Sequence, residues 1–293
     1  MFAAPVFLGS IFDPETFLMS FRAFVIFCAL SSGAYFMNDI RDAQKDKLHP
    51  IKKNRPIPSG KLSVKVAWSL AAVLLVGGIL YSYSYVGSFF TVAAVLFVAI
   101  QIAYTFYFRN VIIMDALLVS SAFIARVYAG GVAAEISISS WLILATIGLS
   151  LLLAFGKRRS EKTLLEDKPA ETRKTLRYYP DNLLDSMISM SSAFCIISYA
   201  LFTFQVSPQP IDSPLASVLP SILKTPKWMM LTIPIVIYGV ARYLFVIYEK
   251  KEGESPERVL LSDRPLLFAV ILWGLVILTI VYFFPLGGLG GLR

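Results

Sequence analysis

Residues 17–46 read FLMSFRAFVIFCALSSGAYFM followed by NDIRDAQKD. From Phe17 to Met37 the run is apolar or small, with Arg22 its single charge. An α-helix of about 20 residues spans the roughly 30 Å hydrocarbon core of a bilayer, so this stretch predicts a membrane span. It leads directly into Asn38, Asp39, Asp42 and Asp46 at its end. If the helix continues, Asp39, Asp42 and Asp46 share one face, being spaced i, i+3 and i+7.

The same apolar signal recurs. Spans are expected near 17–37, 66–84, 89–108, 113–133, 141–156, 185–205, 228–248 and 265–284. The 141–156 run is short and is expected to extend into the basic segment after it. Hydrophobic residues make up 57% of the 293 and charged residues 16%, against roughly 25% charged in soluble domains. The expected fold class is therefore all-α: a polytopic membrane helical bundle of about eight transmembrane helices, one domain over residues 1–293. No cleavable signal peptide is expected, because the first residues carry no basic segment. Cys28 and Cys195 fall inside predicted spans and read as small buried apolar residues.

The net charge of +8 does not point to nucleic acid, because its distribution follows the spans. The loops near 38–65 and 157–184 carry eight Lys/Arg each, and 249–265 carries four more. Together with Arg109 they alternate with loops that hold few. This asymmetry is the positive-inside signature, so these loops are expected to be cytoplasmic and residues 1–16 external. Arg22 and Arg126 lie toward the outer side of their spans and read as structural or snorkelling residues. Arg242 lies near the cytoplasmic end of its own span.

Three carboxylates on one helix face repel one another unless a cation sits among them. Mg²⁺, or Mn²⁺ in its place, suits Asp39, Asp42 and Asp46, because it takes oxygen ligands from a few carboxylates and substrate phosphates. The plain alternative is an acidic helix end paired with nearby lysines. The next segment, His49-Pro50-Ile51-Lys52-Lys53-Asn54-Arg55-Pro56-Ile57-Pro58-Ser59-Gly60, is too rich in proline to be helical. It sets Lys52 and Arg55 beside the carboxylates, a combination suited to a metal-bound polyphosphate. A second cluster runs from Gly156-Lys157-Arg158-Arg159 to Tyr178-Tyr179-Pro180-Asp181, with Asp185 one helical turn beyond Asp181. Acidic residues at a helix start also satisfy its dipole, and Lys157 and Arg158 also suit a membrane edge. A third segment, Ser255–Pro265, carries mixed charge and is placed to cover the site.

Asn38-Asp39-x-x-Asp42-x-x-x-Asp46 resembles the first signature of the UbiA superfamily of membrane prenyltransferases, and Asp181-x-x-x-Asp185 its second. His49-Pro50-x-Lys52-x-x-Arg55-Pro56, Gly156-Lys157-Arg158, Arg242-Tyr243 and Asp263-Arg264-Pro265 are similar to the decaprenyl-phosphate phosphoribosyltransferase branch. The resemblance implies a UbiA-like bundle of nine helices around a cavity open to lipid. The first of the nine is expected to be largely absent from this chain. It also implies Mg²⁺-dependent transfer of 5-phosphoribosyl from phosphoribosyl diphosphate to a polyprenyl phosphate at the cell membrane. Asp39, Asp42 and Asp46 would hold the metal. Asn38, Lys52, Arg55, Lys157, Arg158, Tyr179, Asp181, Asp185 and Arg242 would bind substrate. Besides these substrates the bilayer is an expected partner, nucleic acid is not, and a homo-oligomer is compatible with the sequence.

Two other readings stay open. One is prenyl transfer from a prenyl diphosphate to an aromatic or glycerol-phosphate acceptor. The other is a transporter, which the gathering of polar residues at one membrane face disfavours.

Overall fold

A computed structural model describes residues 1–47, 52–165, 179–206, 227–250 and 256–283. The described residues are helices and connecting turns. A short helix α1 (Ala3–Phe7) precedes α2 (Pro14–Asp46), α3 (Val64–Tyr85), α4 (Ser88–Ala103), α5 (Met114–Ala133), α6 (Ser140–Leu165), α7 (Asp181–Val206), α8 (Ile233–Phe245), α9 (Pro256–Ser262) and α10 (Arg264–Phe283). Eight of the helical segments are long and apolar enough to cross a membrane. Large apolar side chains such as Phe89, Val73 and Leu80 are exposed along them. In water such a surface would drive aggregation; in a bilayer it meets lipid. The chain is a multi-pass membrane protein.

Local sequence sets the helix starts. Asp13 accepts a hydrogen bond from the Thr16 backbone N–H at 2.9 Å, with Pro14 in the first turn. Ser63 does the same for Val66 at 3.3 Å. Both satisfy donors that a helix start otherwise leaves open. As expected, α6 runs past the apolar stretch, carrying Lys157–Lys162 on regular helix. Two of the expected spans differ in detail. α4 ends in a widened π turn, Tyr104–Phe108, and α8 in another, Val246–Lys250. Hydropathy cannot show such an insertion, because it changes the winding and not the composition.

Helices lie close where small residues allow it. A Cβ on Gly148 would sit 2.6 Å from the Cys195 backbone nitrogen, so α6 and α7 need glycine at their crossing. Close approach through small residues is how membrane helices associate without a hydrophobic drive. One core joins α2, α4 and α5 around Ile26, Phe27, Phe90 and Phe97. A second joins α6–α10 around Phe155, Leu184, Ile188, Ile247 and Val259. Cys195 is buried as expected, but Cys28 is exposed on the outer surface of α2; both are free thiols. Arg126 donates to the Ser31 hydroxyl at 3.1 Å and lies over the Phe97 and Phe123 rings.

Following the spans in order brings the end of α2, the α4–α5 turn, the end of α6, the start of α7, the end of α8 and the start of α10 to the same end of the bundle. All the acidic signatures lie there.

Candidate active site

α2 stays helical to Asp46, so its three aspartates do share a face. Asp42 and Asp46 are each 6% exposed, while Asp39 is partly open. Arg55 donates Nη1 to Asp39 at 2.8 Å and to Asp46 at 3.0 Å. Arg109 binds Asp42 at 2.5 Å and the Asn38 side-chain oxygen at 3.0 Å. Arg109 reaches them from the end of the first π turn, where its N–H donates to the Tyr104 carbonyl at 3.1 Å.

The Arg55 loop is held by Ile57, which is buried against Ala43 of α2 and Ala67 of α3. The turn closes at Gly60, whose φ of 78° falls where glycine is favoured. Lys52 opens the short helical turn Lys52–Asn54. His49 lies outside the described residues, as does the Lys52 side chain.

The second signature forms a matching arrangement. Arg159 binds Asp185 at 3.0 Å and Asp181 at 3.4 Å, and Lys162 binds Asp181 at 2.9 Å. Tyr248, carried by the second π turn, donates to Asp185 at 2.8 Å. Each π turn thus presents one side chain to one acidic signature. Such turns recur at functional sites because the extra residue rotates the next side chains onto a new face.

Between the signatures lies a buried polar cluster centred on Asp115, in the first turn of α5. Asp115 is 1% exposed and accepts from Arg158 Nε at 2.5 Å and from the Tyr179 hydroxyl at 2.6 Å. Arg158 also binds Glu161 at 2.7 Å. The Tyr179 oxygen accepts from the Ile113 N–H at 2.6 Å, and Lys162 donates to the Tyr179 carbonyl at 2.7 Å. Burial first, and then the hydrogen bond to Asp115, push the Tyr179 hydroxyl well above its ordinary range. It therefore remains a neutral donor at any working pH. Ile113 is held at φ 69°, a conformation costly for a β-branched residue. The turn that carries Arg109 is thus tied to the segment that starts α7.

Arg158 and Tyr179, expected from sequence at the substrate, are placed in this cluster with 4% and 1% exposure. Lys157 is half-buried and makes no ion pair with a described residue. Arg242 is committed to Asp263 through two bonds of 2.9 Å, and Asp263 also accepts from the Leu266 N–H that starts α10. The expected covering segment is in part α9, anchored by buried Val259. Sequence reading missed Asp115, Arg109, Arg159, Lys162 and Tyr248 as site residues. A charged residue at 115, just after an expected span begins, was the one available signal for Asp115, because buried charge near a membrane is costly without a purpose.

Among the described residues no group of three or more His, Cys, Asp or Glu side chains closes around one metal position. The first signature nevertheless fits a hard divalent ion. Its donors are carboxylate oxygens, and the point between Asp39 and Asp46 already holds one cationic nitrogen. Asp42 has oxygen capacity beyond its bond to Arg109. Such a donor set suits Mg²⁺.

The UbiA prenyltransferase family profile matches residues 1–261. The chain is 33% identical over 287 residues to a decaprenyl-phosphate phosphoribosyltransferase of Corynebacterium glutamicum, covering 97% of this chain and 82% of that one. It is 34% identical over 265 residues to the enzyme of the same name from Mycolicibacterium smegmatis, covering 89% and 80%. Among solved structures, a UbiA homolog from Archaeoglobus fulgidus bound to GPP and Mg²⁺ superposes with a TM-score of 0.68 at 17% identity, covering 95% of this chain and 93% of that one. At that identity the likeness concerns the fold.

Proposed function

From the premise that this chain belongs to the UbiA prenyltransferase family, we propose that it transfers the 5-phosphoribosyl group of phosphoribosyl diphosphate to a polyprenyl phosphate. The observation that carries this reading is the agreement along nearly the whole chain with relatives that bear that activity in their name. The double set of acidic and basic groups at one end of the bundle supports it. A donor with a diphosphate at C1 and a monophosphate at C5 needs more cations than a prenyl diphosphate does.

In this reaction an oxygen of the lipid phosphate forms a bond to ribose C1. The C1–O bond to the diphosphate breaks, and its electron pair leaves with the diphosphate. Positive charge builds on the ring as in other glycosyl transfers. The nucleophile is already an anion, so no general base is required. Asp39, Asp42 and Asp46 would hold Mg²⁺, or Mn²⁺ in its place, which neutralises charge on the leaving diphosphate.

Asn38 orients Arg109 beside that site. Lys52, Arg55 and Lys157 bind phosphate oxygens, and Asp181 and Asp185 hold Arg159 and Lys162 toward the second phosphate. Arg158, Tyr179 and Arg242 act as positioning residues, the first two through Asp115 and the third through Asp263. The protein's contribution is alignment and preorganised charge. The prenyl tail lies along the apolar helices in lipid, with the reacting end on the cytoplasmic side of the cell membrane.

The test is incubation of the purified protein with labelled phosphoribosyl diphosphate and a polyprenyl phosphate, followed by lipid extraction. Label is expected in the lipid phase only when both substrates and Mg²⁺ are present. A protein that ignores phosphoribosyl diphosphate and prenylates an aromatic acceptor would refute the phosphoribosyl reading and leave the family intact.

The orientation is open to its own measurement. Single cysteines replacing Lys61 and Lys168, both in strongly basic loops, are expected to resist an impermeant thiol reagent in intact cells. Labelling from outside would invert the bundle and move the reaction to the other face.

A further inference from the structure

One nitrogen atom, Arg55 Nη1, lies 2.8 Å from Asp39 and 3.0 Å from Asp46. It fills the point where two carboxylates of the first signature converge. Among the ion pairs of described residues at this end of the bundle, its cation is the most exposed. The Arg55 side chain is 40% exposed, while those of Arg109 and Arg158 are 11% and 4% exposed. The carboxylates are more enclosed, Asp39 at 26% and Asp46 at 9%, so the open partner is the guanidinium. Reached by water, it can exchange partners, whereas a buried guanidinium has nowhere to go without its carboxylate. The backbone just after Arg55 is fixed by Pro56 and by buried Ile57, itself flanked by Pro56 and Pro58. The side chain can therefore rotate away without moving its loop.

We propose that Arg55 is a stand-in cation. In the metal-free protein it holds Asp39 and Asp46 together and competes with a divalent ion for their oxygens. When donor arrives, Arg55 leaves the carboxylates and grips the donor's phosphates. This deepens the diphosphate-donor reading above and rests on it for its second half. The charges support the exchange. Two carboxylates with one guanidinium remain one charge short of neutral, and a divalent ion neutralises both. The released guanidinium then finds in a phosphate the planar, two-point partner that suits it. An unoccupied site thereby avoids bare repulsion between carboxylates, and metal is taken up preferentially together with diphosphate.

The test reads metal binding without turnover. Mn²⁺ alone is titrated into detergent-purified protein with no donor, and free Mn²⁺ is followed by electron paramagnetic resonance. Arg55→Gln is expected to bind Mn²⁺ about tenfold more tightly than wild type, because a competing charge in direct contact is gone. Lys53→Gln removes an exposed charge from the same turn that holds none of the three carboxylates. It should change Mn²⁺ affinity by less than about threefold, since solvent screens it. With phosphoribosyl diphosphate added, Arg55→Gln should raise the donor KM about tenfold or more.

Unchanged or weaker Mn²⁺ binding by Arg55→Gln overturns the proposal. So does an equal tightening by Lys53→Gln, which would mean a general field effect. If Arg55→Gln is unstable, its melting temperature supplies the answer. A larger rise with Mn²⁺ than wild type shows supports the exchange, and no rise counts against it. The Mn²⁺ arm is indifferent to which diphosphate the enzyme uses, so it can stand while the phosphoribosyl reading falls.

Discussion

Asp39→Asn is expected to remove turnover almost completely while leaving the protein folded. Under the proposed metal role, loss of this carboxylate costs several kcal/mol of transition-state stabilisation, about 4 kcal/mol or on the order of a thousandfold in kcat/KM. Asp39 is partly open, and its ion-pair partner is the half-exposed Arg55, which keeps Asp46. The expected change in unfolding stability is therefore under about 1 kcal/mol. Asp42→Asn should lose as much activity, but it also weakens the buried contact with Arg109, so its stability falls too. The contrast separates chemistry from folding. Turnover of Asp39→Asn near wild type, or wild-type turnover that survives EDTA, would remove the metal from the mechanism.

The largest stability effect is expected at Asp115, which lies in neither acidic signature. Asp115→Ala leaves Arg158, 4% exposed, without the carboxylate it contacts at 2.5 Å. Breaking a buried ion pair from one side costs about 3–5 kcal/mol, because the remaining charge stays desolvated. Glu161 still contacts Arg158 at 2.7 Å, which places the expected loss toward the lower part of that range. Tyr179→Phe removes the acceptor of the Ile113 N–H and one donor to Asp115, worth about 1–3 kcal/mol. Thermal unfolding of the detergent-purified variants measures both. An Asp115→Ala midpoint equal to wild type would show that the cluster does not hold the α4–α5 turn to the start of α7.

Much of the architecture is legible in residue order. Eight apolar runs mark the eight candidate spans found among the described residues, and their alternation sets which ends lie together, since both depend on composition summed over about 20 residues. The i, i+3, i+7 spacing of Asp39, Asp42 and Asp46 and the i, i+4 spacing of Asp181 and Asp185 are also readable, because a helix turns side-chain spacing into geometry within one segment. The π turns at Tyr104–Phe108 and Val246–Lys250 are not. They replace one hydrogen-bond register with another at nearly unchanged hydrophobicity.

By itself the sequence determined a polytopic helical membrane protein with two acidic signatures at one face, together with their resemblance to a family. Only the tertiary structure decided which cation meets which carboxylate. Arg109 lies far from Asp42 along the chain and Tyr248 far from Asp185, yet they touch. Arg158, next to Arg159, and Tyr179, two residues before the second signature, turn into the interior toward Asp115. The physical reason is the low dielectric of a helical bundle. A buried charge must find an opposite charge wherever packing brings one near, and that partner is set by helix crossings such as the one at Gly148, which no local pattern encodes.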